Sequence, residues 1–188
     1  MGIRNSIIKY SIPANKKDKV YFISRIVGAY YASKNYAVFK EVGLPKLNSS
    51  YRFGCKRADI LCINTKNEVV ILETKSSWED YRTDKKWPYY LNWCNKFYFV
   101  AEAKVASKIK EDLTNKDVGI ISVSENTEIS FIKNARKRNP DSLTNNMIKL
   151  YKAIIFRASS FRSDGSLNRL SQFFPPKFIR LADLRKEV

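Results

Sequence analysis

An α/β fold, with a mixed central sheet flanked by helices and a basic helical C-terminal extension, is what this 188-residue sequence predicts. Three observations predict it. Helix-period and strand-like apolar runs follow the order α-β-β-β-α-β and then α-β-β. Two of these runs, ILCI and VVIL, are joined by NTKNE, a polar connection of hairpin length. Apolar residues make up 44% of the chain, enough for a packed core and above the range of disordered chains. The length fits one domain with appendages. The expected division is a basic N-terminal segment over 1–15, a core over 16–133 and the extension over 134–188.

Taken in order, Pro13 and Asn15 break the first segment. Asn15 or Asp18 then starts a helix to about Lys34, with Val20, Ile23, Ile26, Val27 and Tyr30 at helical spacing. Tyr36 to Val42 reads as a strand, and GLPKLNSS as a turn-rich loop. Tyr51 to Ile63 gives a second strand, entered through Gly54, and Val69 to Lys75 a third. Asp80 to about Cys94 is predicted helical, with Pro88 bending or starting it. Lys96 to Ala101 is a strand buried by its aromatic residues. Lys104 to Leu113 is a helix, and Val118 to Val123 and Glu128 to Ile132 are two more strands. KNARKRNP is a basic loop. Ser142 to about Ala158 is a helix with Leu143, Met147, Leu150 and Ile154 on one face, and a basic, aromatic tail follows.

Charge is segregated along the chain. Residues 1–60 hold 12 Lys/Arg against 3 Asp/Glu, residues 61–130 hold 10 against 11, and residues 131–188 hold 13 against 4, within a net charge of +17. A near-neutral centre between two basic flanks is the footprint of a nucleic-acid binder, whose cations displace phosphate counterions. An anionic membrane fits less well, and no apolar run approaches the ~20 residues of a transmembrane helix. The N-terminus lacks an apolar signal core, so secretion is not expected. Cys55, Cys62 and Cys94 form no CxxC and are expected as free thiols in a reducing cytosol. The chain has no histidine. That excludes a histidine general base, a Ser-His-Asp triad and an HExxH zinc site.

One stretch, RADILCINTKNEVVILETKSS, places charges in otherwise apolar runs. Alternation puts Val69, Ile71, Glu73 and Lys75 on one strand face. A hairpin can bring Asp59 and Glu73 together. Two carboxylates with a carbonyl and waters suit Mg²⁺, which prefers oxygen ligands. Lys75 could orient an attacking water or stabilise a pentavalent phosphorane. On spacing alone, a surface hairpin with an ordinary Glu–Lys cross-strand pair is the leading reading.

The pattern D-(x13)-E-x-K after a helix and a strand resembles the PD-(D/E)XK nuclease superfamily, with Ala58 where the motif usually has proline. KRADIL, LETKSS and EDYRTDKKWPYYLNWCNKFYFV, spanning Lys56 to Val100, resemble more specifically the MmcB family of DNA-repair proteins. The resemblance implies a restriction-endonuclease-like αβββαβ core and a Mg²⁺-dependent DNA nuclease, with Mn²⁺ as an alternative ion. It implies catalytic Asp59, Glu73 and Lys75, and metal ligands at Asp59, Glu73 and the Thr74 carbonyl. Glu41 upstream is either a further ligand or a solvent-facing strand residue. Ser76, Lys86 and Tyr90 would face the site from the following helix, Lys86 and Tyr90 on one face of it. Core packing is the alternative for Tyr90 and the preferred reading for Trp87, while Asp80 reads as a helix N-cap and Asp84 as salt-bridged. Arg57, placed beside Asp59 on the opposite strand face, reads as a support or phosphate contact. Lys133 to Arg138, with Arg136, Lys137 and Arg138, and Arg157 to Arg185 would grip the backbone of duplex or branched DNA without reading sequence. A homodimer is compatible with the superfamily. The setting expected is the cytoplasm, bacterial or phage-encoded, with nucleoid association as an option. The competing expectation is a non-catalytic nucleic-acid-binding or assembly module on the same fold.

Overall fold

In a computed structural model, which describes residues 12–45 and 53–158, six strands form one sheet in sequence order. The strands are β1 (Tyr36–Pro45), β2 (Phe53–Asn64), β3 (Val69–Thr74), β4 (Lys96–Glu102), β5 (Val118–Val123) and β6 (Ile129–Lys133). β1, β2 and β3 are antiparallel neighbours, β3, β4 and β5 are parallel, and β6 returns antiparallel to β5. The sheet is therefore mixed, as expected. The hairpin register sets Ile60 against Leu72 and Ile63 against Val69. That register puts Asp59 level with Glu73 at the C-terminal end of β3.

Helix α1 (Lys16–Ser33) is capped by Asn15, whose side chain accepts from the Asp18 N–H. It covers one sheet face. Ile23, Val27 and Tyr31 pack there on Ile60, Cys62, Val70, Leu72 and Val100. The other face carries α2 (Trp78–Thr83), α3 (Trp87–Tyr90), α4 (Ala103–Asp112) and α5 (Asp141–Ala158). Their core includes Tyr90, Trp93, Phe97, Phe99, Ile109, Leu143, Leu150 and Ile154 with Val69 and Ile71. β3 and β5 are buried along their whole length, which is why VVIL and VGIISV read as continuous apolar runs. The α5 helix shares this core despite belonging to the basic C-terminal stretch. Cys62 and Cys94 are free and buried. The side chain of Cys55 and all residues from 159 onward lie outside the described residues, so the second basic flank is not placed.

Two expectations are corrected. The helix from Asp80 to Cys94 is instead two short ones. Pro88 stands at the start of the second, and Asp84 between them is extended. Alternation holds along β3, with Val69 and Ile71 on one face and Val70 and Leu72 on the other, but breaks in β2. Ala58 packs with Leu61, whereas Ile60 packs on the other face with Cys62. Opposite that break Glu41 adopts a left-handed φ of 56°. Such a conformation is uncommon outside glycine and costs on the order of 1 kcal/mol.

Gly119 on β5 faces its register partner Tyr98. A Cβ there would sit 2.4 Å from the Tyr98 ring and 2.6 Å from the Ala135 backbone nitrogen. Gly119→Ala is expected to destabilise by roughly 1–3 kcal/mol through overpacking, read as a lowered urea midpoint. An unchanged midpoint would mean that the strand and loop yield freely.

Candidate active site

The C-terminal end of β3 and the turn after it gather the charged groups. Asp59 accepts from the Thr74 N–H at 2.9 Å, and Glu73 accepts from the Asp59 N–H at 3.5 Å. The two carboxylates are thus locked to each other's strands. Lys75, directly after β3, donates its own N–H to the Val100 carbonyl at 2.8 Å. Its ammonium lies 3.4 Å from Glu73 Oε1 and 2.5 Å from Asp84 Oδ2. Glu73, Lys75 and Asp84 are at most 9% exposed. The extended backbone at Asp84, enforced by the helix break before Pro88, delivers that carboxylate to Lys75.

Electrostatics follow from this burial. Desolvation and then the charge of Asp59 push Glu73 up to about 8. Desolvation also pushes Asp59 up to about 6, against the pull of the Thr74 N–H and of Lys75. Burial opposes the Lys75 ammonium, but the Glu73 charge and the Asp84 hydrogen bond outweigh it. Its pKa therefore lies above the ordinary lysine value. Lys75 is a fixed cation here, not a proton acceptor at neutral pH.

Three carboxylates, buried Glu73 and Asp84 and half-buried Asp59, surround one lysine, so negative charge is in excess. That excess and an oxygen donor set fit a hard divalent cation bound by one or two carboxylates and waters. Asp59 and Glu73 would hold it, beside the Thr74 carbonyl. Among the described residues no three His, Cys, Asp or Glu side chains converge on a metal position. Glu41 stands opposite the Asp59 segment, but its carboxylate pairs with the Arg57 guanidinium in a partly exposed ion pair. It is not a third member of the cluster.

Other predicted site residues fall differently. Tyr90 does not face the site surface. It is 0% exposed, and its hydroxyl donates to the Arg57 carbonyl at 2.9 Å, so it props β2 from beneath. Lys86, the N-cap of α3, is exposed one helical turn before the buried Tyr90. Arg57 is exposed and tied to Glu41. The opposite-face assignment of Arg57 does not follow from alternation, which pairs residues two apart on one face and is broken here at Asp59. The N-cap of α2 is Ser77, not Asp80. Asp80 is held by Ser77 and reaches back to the Ser76 N–H at 3.0 Å and the Ser76 hydroxyl at 2.8 Å, a capping-box logic. Trp87 stacks on Phe97 and meets Phe99 edge to face, as core.

The basic loop sits at the far end of the sheet. Arg138 donates its N–H to Asn95, whose own N–H reaches Val69 at the start of β3. At ~3.3 Å per residue, the length of β3 separates that loop from Glu73 by about 15 Å. Arg138 is half-buried, ion-paired with Asp117 at 3.6 Å, and its carbonyl accepts from Asn95 Nδ2. It is part of the fold, which leaves Arg136 and Lys137 as the exposed members of that cluster. Ser24 was not marked by any sequence signal, yet its hydroxyl meets that of Thr74 at 3.1 Å.

No described helix is long and apolar enough to cross a membrane. No curated protein matches the chain. Among solved structures, a protein of unknown function from Silicibacter pomeroyi, SPO1766, is similar with a TM-score of 0.57 and 17% identity, over 78% of this chain and 93% of that one. That likeness concerns the fold, and it agrees with a restriction-endonuclease-like core. The family model described as DNA repair protein MmcB-like matches residues 10–154, which span the hairpin, the acidic cluster and most of α5. The chain belongs to the MmcB-like family of DNA-repair proteins.

Proposed function

We propose that this protein is a divalent-ion-dependent DNA nuclease, with Mg²⁺ as its ion and Mn²⁺ as a substitute. The observation that carries the reading is the junction of half-buried Asp59 with buried Glu73 and Lys75 across two antiparallel strands. A bound divalent ion would supply an activated water and neutralise phosphate charge. The chain's own residues do the rest. Asp59 and Glu73 provide the anionic seat. Lys75 stays protonated and faces the negative charge that builds on the phosphoryl oxygens during displacement. Asp84 positions Lys75. Water attacks phosphorus in line, the P–O3′ bond breaks, and 5′-phosphate and 3′-hydroxyl ends result.

The test is a cleavage panel of plasmid, branched and single-stranded DNA with Mg²⁺, Mn²⁺ or EDTA. Cleavage that needs the ion is the expected result. A protein that binds these DNAs but cuts none with either ion overturns the nuclease reading. A non-catalytic DNA-binding or assembly module then takes its place, a role favoured by one observation: Lys75 is already ion-paired on both sides.

DNA affinity should fall steeply with salt. Arg136→Glu together with Lys137→Glu should lower the slope of log K against log salt by about 2 and weaken all sequences alike. Fluorescence anisotropy over a salt series reads this directly. A slope equal to the parent's removes the loop from the interface.

A further inference from the structure

At the rim of the acidic centre, α1 and β1 bring two cations to one exposed ring. Tyr21 is 54% exposed. Lys40 Nζ lies 4.7 Å and Arg25 Cζ 5.7 Å from its ring centroid, where the negative faces of the ring attract cations. Two anchors fix this group beside the site. Ser24, next to Arg25 on α1, joins its hydroxyl to that of Thr74 at 3.1 Å. Lys40 pairs in register with Ile60, the residue after Asp59. Among the described residues Arg25 makes no ion pair with a carboxylate.

The arrangement answers a problem that the acidic centre creates. Asp59, Glu73 and Asp84 repel a phosphodiester, so a substrate strand needs cations close by to approach them. The basic loop at Arg136 is at the other end of the sheet and cannot serve there. We propose that Arg25 and Lys40, positioned by the Tyr21 ring, clamp a DNA backbone phosphate next to the one that is cleaved. The inference rests on the nuclease reading for which bond is cut, and on geometry alone for the phosphate. Tyr21 is a positioning residue, and the two cations make the contact.

The experiment measures binding of the full chain to a labelled DNA duplex in EDTA, so that cleavage does not enter. Arg25→Gln and Lys40→Gln are each expected to weaken binding roughly 3- to 10-fold and to lower the salt slope by about one. Tyr21→Phe, which keeps the ring, should bind like the parent, whereas Tyr21→Leu should weaken binding as a single-cation variant does. A series of duplexes with one neutral methylphosphonate each should contain a position that weakens the parent but not the Arg25→Gln/Lys40→Gln double variant. Binding of both single variants within about twofold of the parent, with unchanged salt slope, overturns the clamp. Cleavage with Mg²⁺ is read separately. Clamp-dependent binding without cleavage by the parent would end the nuclease reading and leave the clamp as a DNA-binding device. Cleavage by the parent with indifferent clamp variants would end the clamp alone.

Discussion

Lys75→Ala should unfold at a markedly lower urea concentration than the parent and lose cleavage. The ammonium stands between Glu73 and Asp84, both buried. Removing one partner of a buried pair leaves its counter-charge without compensation, at a cost of about 3–5 kcal/mol. On the proposed nuclease reading the same change also removes the cation that would face the phosphoryl oxygens, with an expected loss of about 100- to 1,000-fold in single-turnover rate. The two effects separate in a double variant. Lys75→Met with Asp84→Asn removes both members of the pair and should regain much of the stability. It should regain none of the cleavage. Asp59→Asn should match the loss of cleavage, because an amide keeps the shape and discards the charge that seats the ion. A Lys75→Ala protein that cuts at the parent's rate would make the ion pair purely structural.

How far the sequence led can be judged at particular residues. The hairpin and its two carboxylates were legible because period-2 alternation is local and because ETK interrupts an apolar run at strand end. The α1 and β5 assignments rest on equally local signals, helical spacing in α1 and a continuous apolar run in β5. What was not legible depends on contacts between residues far apart in the chain. Asp84 could be read as salt-bridged, but its partner Lys75 is chosen by a helix break that only the packed chain places. For Tyr90 the sequence left two readings, facing the site beside Lys86 or packing in the core, and it is fully buried. Its hydroxyl finds the Arg57 carbonyl, a partner 33 residues away in the chain. Arg138 read as one more cation in a basic run, yet its main chain completes the loop at Asn95. The position of that loop, opposite the site, follows from β6 running antiparallel to the parallel set β3, β4 and β5, which charge counting does not reveal. The grouping of Tyr21, Arg25 and Lys40 crosses from helix to strand and leaves no motif.

Glu73→Gln should make the protein more stable at alkaline pH while abolishing cleavage. The glutamate is buried beside Asp59, and its pKa is raised from 4.5 to about 8 by desolvation first and the Asp59 charge second. A raised carboxyl pKa means that the folded state holds its proton more tightly than the unfolded chain does. Between about pH 4.5 and pH 8 the folded protein therefore carries the extra proton, and stability falls as pH rises through that window. Below it the contribution is fully present, and above it the penalty of the buried anion is complete. Glutamine has no charge to bury. The variant should thus match the parent near pH 4 and exceed it near pH 8 by something on the order of 2–4 kcal/mol. Mg²⁺ should narrow that gap by raising the parent's Tm at pH 8 and leaving the variant's unmoved, since ligand that binds only the folded parent stabilises it. DNA binding should be unchanged below about pH 8, where Glu73 of the parent is itself protonated, and slightly tighter above it, where one charge repelling phosphate is gone. Thermal melts across pH 4 to 9, in EDTA and in Mg²⁺, read all of this without cleavage. A stability gap that stays constant across the pH range would show that Glu73 ionises like a solvent-exposed carboxylate, and the strained anionic seat for the ion would fall with it.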